Sequence, residues 1–281
     1  VVRDLETQED EVVAFPVSAS TVDWSSDGNK LLFSRVDRAD KYGSRQADIY
    51  EYDFTLDEPG LIHDLVWTVP TLVAAKAPES RRVKRLTRGL RALYPTYSPD
   101  GEWIAFVHNS RSNNNLGLMR TDGSDARYLT NFRDGTQLYT PRFSPDGKRL
   151  AVSIAREGQR DIAIIELIAA GIDEKQVTSA TPILADGQEA LSTSLQHGRL
   201  IKPVVVTPGT DRDPVWSADG ATLVFTSDFS GIFNLYELDL QTRQLRQMTN
   251  VVGGAFNPSI GSGGEVAFAS YAVDGFEIRR I

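Results

Sequence analysis

The chemistry open to this chain is narrow, because its histidines are His63, His108 and His197 and it holds no cysteine. A metal centre needs His, Asp or Glu brought together by spacing. No two of these histidines form an i, i+4 pair on a helix face or an i, i+2 pair on a strand face, so no His-centred metal site is expected. Absent cysteines exclude disulfides, thiolate metal sites and a Cys nucleophile. A serine hydrolase needs its nucleophile in a Gly-x-Ser-x-Gly elbow, and no glycine here has Ser two positions later. Ser262, within Gly261-Ser262-Gly263-Gly264, reads as part of a degraded turn. The phosphate-cradling pattern Gly-x-x-x-x-Gly-Lys-Ser/Thr is missing, and Gly253-Gly254 and Gly263-Gly264 open strands rather than helices. No catalytic residue and no cofactor is predicted.

Aspartates recur in a pattern that invites a catalytic reading. Asp27, Asp100, Asp146 and Asp219 each precede a glycine, where Asp bonds nearby backbone and Gly accepts positive φ, so they read as turn formers. Asp211 and Asp213 differ, since they lie just before Pro214 at the entry to a strand. They are expected to be solvated loop carboxylates near a central channel, with a ligand role as the alternative. No regularly spaced calcium-loop pattern supports a cation there.

Those turns belong to a repeat that organises the chain. Val22-Asp23-Trp24-Ser25-Ser26-Asp27-Gly28, Pro95-Thr96-Tyr97-Ser98-Pro99-Asp100-Gly101, Pro141-Arg142-Phe143-Ser144-Pro145-Asp146-Gly147 and Pro214-Val215-Trp216-Ser217-Ala218-Asp219-Gly220 are copies of one pattern. A fifth, Pro258 to Gly264, is degraded. Each copy leads into an apolar second strand such as Ile104-Ala105-Phe106, then a third such as Ile162-Ala163-Ile164-Ile165, and often a fourth ending in Thr, as at Thr87, Thr130 and Thr249. Four short strands per unit make a propeller blade. The first-strand aromatic is expected to wedge between blades, with the proline two residues earlier at a strand start that needs no ladder N–H.

The fold class is therefore all-β, a β-propeller of four-stranded antiparallel blades with five clear repeats. The repeat glycines stand 73, 46, 73 and 44 residues apart. The surplus in the long steps is smaller than a blade of roughly 40 residues, so two insertions are expected between third and fourth strands, at about 54–83 and 168–199. Five blades close if Val1 to Phe15 completes the last one; a poor blade at 180–207 would make six. The chain, 1–281, reads as a single propeller domain, either a processed mature protein or a section of a longer polypeptide.

The pattern Pro-x-aromatic-Ser-Pro-Asp-Gly, then apolar-Ala-Phe, Asp-Gly-Ser and Leu-Thr, best seen from Pro95 through Asp122-Gly123-Ser124 to Thr130, resembles the TolB-type propeller repeat. The resemblance implies a periplasmic, non-enzymatic propeller that binds protein partners at the bacterial envelope; the sequence shows no sign of that family's separate N-terminal α/β domain. Similar repeats form the gate of prolyl-oligopeptidase-like peptidases and occur in a metal-dependent oligogalacturonate lyase. The leading reading is a non-catalytic envelope scaffold; the alternatives are a gating propeller whose catalytic domain lies outside this chain and a carbohydrate-active lyase.

With 30 Lys+Arg against 38 Asp+Glu and a net charge of -8, nucleic acid is an unsuitable partner. No run of about 18 apolar residues spans a bilayer as a helix. Partner contacts are expected from three places. The basic segment 76–91, with Arg81, Arg82, Lys84 and Arg85, suits an acidic protein face or anionic headgroups, hence peripheral membrane contact. The apolar insertion carries Trp67. The loops entering the first strands carry Tyr94, Tyr139, Asp211, Asp213 and Asn257.

Overall fold

Each Ser-x-Asp-Gly turn closes the same hairpin. In the second copy the Ser98 hydroxyl donates to Asp100, whose Oδ1 accepts from the Glu102 amide at 3.0 Å, while Ser98 Oγ accepts from the Trp103 amide at 2.9 Å. Gly101 completes the turn at φ 71°, a region that costs glycine little. The same bonds recur at Ser25/Asp27, Ser144/Asp146 and Ser217/Asp219. They stabilise ionised carboxylates, and Asp27 is lowered to about 2 by Ser25 and Asn29. The recurrent aspartates are thus consumed by turns.

The structure, a computed structural model, describes residues 2–3, 10–11, 22–36, 46–56, 82–110, 113–167, 183–184, 194–196, 199–261 and 263–281. β1 (Val2–Arg3) pairs with β2 (Asp10–Glu11). The first blade is β3 (Val22–Trp24), β4 (Lys30–Val36), β5 (Ala47–Asp53) and β6 (Val83–Arg85). The second is β7 (Ala92–Tyr97), β8 (Trp103–Ser110), β9 (Asn113–Arg120) and β10 (Arg127–Tyr128). The third holds β11 (Gln137–Phe143), β12 (Arg149–Arg156) and β13 (Gln159–Glu166); beyond β14 (Ile183–Leu184) and β15 (Ser194–Gln196), β16 (Arg199–Val206) is its fourth strand. Then come β17 (Arg212–Trp216), β18 (Thr222–Ser227), β19 (Asn234–Asp239) and β20 (Leu245–Gln247), and finally β21 (Ala255–Ile260), β22 (Val266–Ala272) and β23 (Gly275–Arg280). Among the described residues no helix is long and apolar enough to cross a membrane.

Two expectations change. The segment 199–206 belongs to the third blade, antiparallel to β13 with Ile165 opposite Ile201, rather than to a poor sixth one. Among the described residues β1 and β2 pair with each other and not with β23, so closure by the N-terminal segment is not seen there. Both insertions fall between third and fourth strands, and most of each lies outside the described residues.

The core is a series of layers between adjacent blades. Leu32 and Ile49 of the first blade meet Tyr97, Ile104, Phe106 and Met119 of the second; Ile162 and Val205 of the third meet Trp216, Phe225 and Tyr236 of the fourth. First-strand aromatics act as wedges: the Trp216 indole donates to the Arg142 carbonyl at 3.0 Å and the Tyr97 hydroxyl to Glu51 Oε2 at 2.8 Å, each in the preceding blade. Such rings bury large area while their polar tips find partners. Trp24, in the first blade, stays 43% exposed and stacks on Phe54 at 5.3 Å.

The repeat prolines do not start strands. Pro95, Pro141, Pro214 and Pro258 sit inside β7, β11, β17 and β21, at register shifts where two residues of the first strand oppose one of the second. These are β-bulges, whose extra residue makes no ladder bond, and that is why proline is tolerated there. The residue before each proline has positive φ: Tyr94 at 52°, Thr140 at 44°, Asp213 at 54° and Asn257 at 50°. For a β-branched residue such as Thr140 this conformation is strained.

A second repeated device ties the fourth strand to the start of the third in the first, second and fourth blades. Asp48 Oδ1 accepts from Thr87 Oγ1 at 2.7 Å, while its Oδ2 accepts from Gly89 N at 3.0 Å and Arg85 Nη2 at 2.6 Å. Asn115 Oδ1 accepts from Thr130 Oγ1 at 2.9 Å and Phe132 N at 2.6 Å, and its Nδ2 donates to the Phe132 carbonyl at 3.1 Å. Asn234 repeats the arrangement with Thr249 and Val251 N, both at 3.0 Å. Replacing Asn115 by Ala strands a buried N–H and C=O of Phe132, a cost of about 2–3 kcal/mol. Urea unfolding of Asn115→Ala should show that loss; a change within error would remove this clasp from the account.

Candidate functional site

The first strands β3, β7, β11, β17 and β21 stand side by side around a central cavity of about 640 Å³. Its wall is set by the repeat. The aromatic position supplies Trp24, Tyr97, Phe143 and Trp216; the turn contributes Ser26, Pro99, Pro145 and Ala218; the bulge contributes Thr140, Asp213, Pro214, Asn257 and Pro258. Most polar groups on this wall are already engaged. Asp23 accepts from Thr96 Oγ1 at 2.9 Å and the Tyr97 amide at 2.8 Å, and burial together with Glu51 raises the Tyr97 hydroxyl far above its ordinary value. Such a surface is shaped for aromatic and proline-type contact with a few fixed acceptors, the usual composition of a binding cleft.

Tyr94 and Tyr139 are not among the cavity-lining residues; each lies just before a bulge proline, and their rings meet edge to face at 6.3 Å. The Arg160 guanidinium lies 4.4 Å over Tyr139. Asp213 lines the cavity, is only 8% exposed, and accepts from Arg212 Nε at 2.7 Å, while its amide donates to Ser153 Oγ at 3.1 Å. Arg212 spans Phe233 and Phe256 at 6.0 and 5.9 Å. Asn257 is exposed on the cavity wall.

Several expected contacts are placed elsewhere. Asp211 is fully buried rather than a solvated loop carboxylate, because it takes over the clasp of the third blade: Oδ1 accepts from Thr207 Oγ1 at 2.9 Å and Oδ2 from the Thr207 amide at 3.2 Å. It cannot touch a partner directly. Arg85 is held by buried Asp48, and Arg82 donates to the Tyr52 hydroxyl at 3.1 Å and to the Leu56 carbonyl; Lys84 is exposed on β6. Arg82 and Arg85 thus serve the first blade itself. Trp67 and Arg81 lie outside the described residues, as do His63 and His197. His108 stacks on Tyr128 at 4.5 Å and burial lowers its pKa. Among the described residues no three His, Asp or Glu side chains converge as metal ligands.

Sequence reasoning missed Arg160 and Asp161. Asp161 occupies the clasp position of β13, where its Oδ1 accepts from Gln159 Nε2 at 3.1 Å and the Thr207 amide also favours its charged form, while its buried Oδ2 has no hydrogen-bond partner among the described residues. Burial raises Asp161 to about 6 and Asp211 to about 7, where the neighbouring Asp161 charge adds to the rise and bonds from Ser227 and Thr207 oppose it.

With this geometry, the class is a β-propeller whose first strands enclose a channel. No family model matches the chain. A TolB homolog from Chlorobium luteolum is 29% identical over 177 residues, covering 58% of this chain and 38% of that protein. The uncharacterized peptidase YuxL of Bacillus subtilis is 27% identical over 175 residues, covering 59% and 25%. The chain therefore matches well under half the length of either relative. Among solved structures, a protein named as a putative TolB from Agrobacterium tumefaciens superposes with a TM-score of 0.65 at 18% identity, over 99% of this chain and 81% of that one. An oligogalacturonate lyase from Vibrio parahaemolyticus gives 0.55 at 16% identity, over 99% and 70%. The chain is a TolB-like β-propeller.

The raised pair sets a sign for pH dependence. Carboxyls whose folded pKa exceeds the unfolded value bind more protons when folded, so their contribution is full below about pH 4 and is lost as pH rises through 6 to 7. The turn aspartates act oppositely and at lower pH, losing their contribution as pH falls below their ordinary range. The melting temperature should fall between about pH 4 and 7 and level off above, and Asp211→Asn should flatten that fall. An unchanged pH slope in the variant would refute the assignment.

Proposed function

We propose that the chain is a non-catalytic scaffold of the bacterial envelope, periplasmic or extracellular, that binds a protein partner through its channel. The observation carrying this reading is the cavity wall itself: aromatic and proline side chains from every blade converge there, on strands whose bulges hold four residues at positive φ. Backbone strain repeated around one opening is a feature of sites that position groups for contact. Rigid aromatics give binding area at low conformational cost. TolB-named relatives support the scaffold reading over one based on chemistry.

A second reading has one specific support, the match to a protein named as a peptidase. In it the propeller gates access to a catalytic domain outside these residues. Reading the complete source gene discriminates the two, since an adjoining α/β-hydrolase domain is required by the gate and not by the scaffold.

The scaffold reading is tested by affinity capture from envelope extract with the wild type, with Trp24→Ala and Ser259→Trp in the channel, and with Arg246→Ala on the outer strand β20. One set of proteins should be retained by the wild type and by Arg246→Ala, and lost by both channel variants. Equal retention by all four would refute channel binding.

A further inference from the structure

Arg160 stands apart from the arginine beside it. Its neighbour Arg212 is committed, with Nε on Asp213 Oδ2 at 2.7 Å. Arg160 Nε is buried without a partner. Among the described residues no carboxylate lies within ion-pair distance of Arg160 and no side chain or carbonyl accepts from its guanidinium. A buried donor normally has an acceptor, and a charged one left unmatched is costly. The fold nonetheless holds this group in place. The guanidinium carbon lies 4.4 Å from the Tyr139 ring centre, a cation–π contact that uses none of its N–H donors. Tyr139 is itself braced edge-on by Tyr94. Asp213, whose charge acts on Arg160, is fixed by Arg212 and by its own amide on Ser153.

We propose that Arg160 is a carboxylate-binding residue, held against Tyr139 and beside the Arg212–Asp213 pair, whose Asp213 lines the channel. Two observations carry it: the stacked guanidinium with an orphaned Nε, and the engagement of Asp213 elsewhere. A carboxylate matches the fork of a guanidinium with two parallel, charge-assisted hydrogen bonds, where chloride matches only its charge. Such a carboxylate is supplied by an acidic side chain or by a chain terminus. The biological use rests on the partner-binding reading, but the chemistry does not: small carboxylates test the site without any partner, so either can fail alone.

The test follows the arginine Nε–Hε resonances of the nitrogen-labelled chain. The probes are N-acetyl-alanine, for a terminal carboxylate, and N-acetyl-glutamate α-amide, for a side-chain one, with sodium chloride at matched ionic strength as the control. The Arg160 signal should move and saturate with at least one carboxylate and not with chloride, while the Arg212 signal stays in place. The tighter probe assigns the source. In Arg160→Gln, followed at the Asp161 amide, affinity should fall about tenfold or more, the loss expected for a charge-assisted pair. An Arg160 signal that stays still, moves equally with chloride, or moves only together with Arg212 overturns the proposal, and none of these outcomes depends on the variant folding.

Discussion

One buried hydrogen-bonded clasp carries the architecture: an Asp or Asn at the start of the third strand accepts the hydroxyl of a Thr that ends the fourth. It joins residues 38 and 39 apart in the first blade, through Ile49 N to Thr87 and Thr87 to Asp48, and 15 apart in the second and fourth. A buried carboxylate or amide is expensive unless satisfied, and here the backbone amides just past the Thr satisfy it. The same bonds therefore end the sheet and turn the chain inward toward the next first strand. Inward delivery places the bulge, the aromatic and the turn of every blade around one cavity.

The third blade shows what happens when the clasp is displaced. Thr207 bonds Asp211, which lies after it in sequence, and Asp161 is left with one oxygen unmatched among the described residues. Two carboxyls are then buried in the joint between the third and fourth blades, and both are pushed toward neutral pH. Arg160 follows from the same local rearrangement. It occupies the β13 position just before the displaced acid and lies over Tyr139, much as Phe233, just before Asn234, packs on Phe256 at 5.1 Å. A cation stands where the next blade has an aromatic ring.

Much of the blade was legible in sequence because its signals are local. The Ser-x-Asp-Gly turns, the apolar second strands and the first-strand aromatics all act within a few residues of themselves. The Thr of the fourth strand was visible as well, but its Asx partner was not, since an insertion separates them in the first blade. Val205-Val206-Thr207 carries the same signal as Arg85-Leu86-Thr87 and was available to mark the fourth strand of the third blade. Its recognition would have moved Asp211 from the surface to the interior. The bulge prolines were seen and misplaced, because proline near a strand suggests an end before it suggests an unpaired interior position. Lone Arg160 carries no sequence signal, its meaning coming only from what fails to pair with it.

The central claim is that the channel, not the outer surface of the blades, meets the partner. Its most direct test places a photo-crosslinking residue at Trp24 on the cavity wall in one chain and at exposed Tyr128 on the outer strand β10 in another, with irradiation in the source envelope. The account predicts a discrete crosslinked product from position 24 and none from position 128. Crosslinking from 128 with nothing from 24 would contradict it.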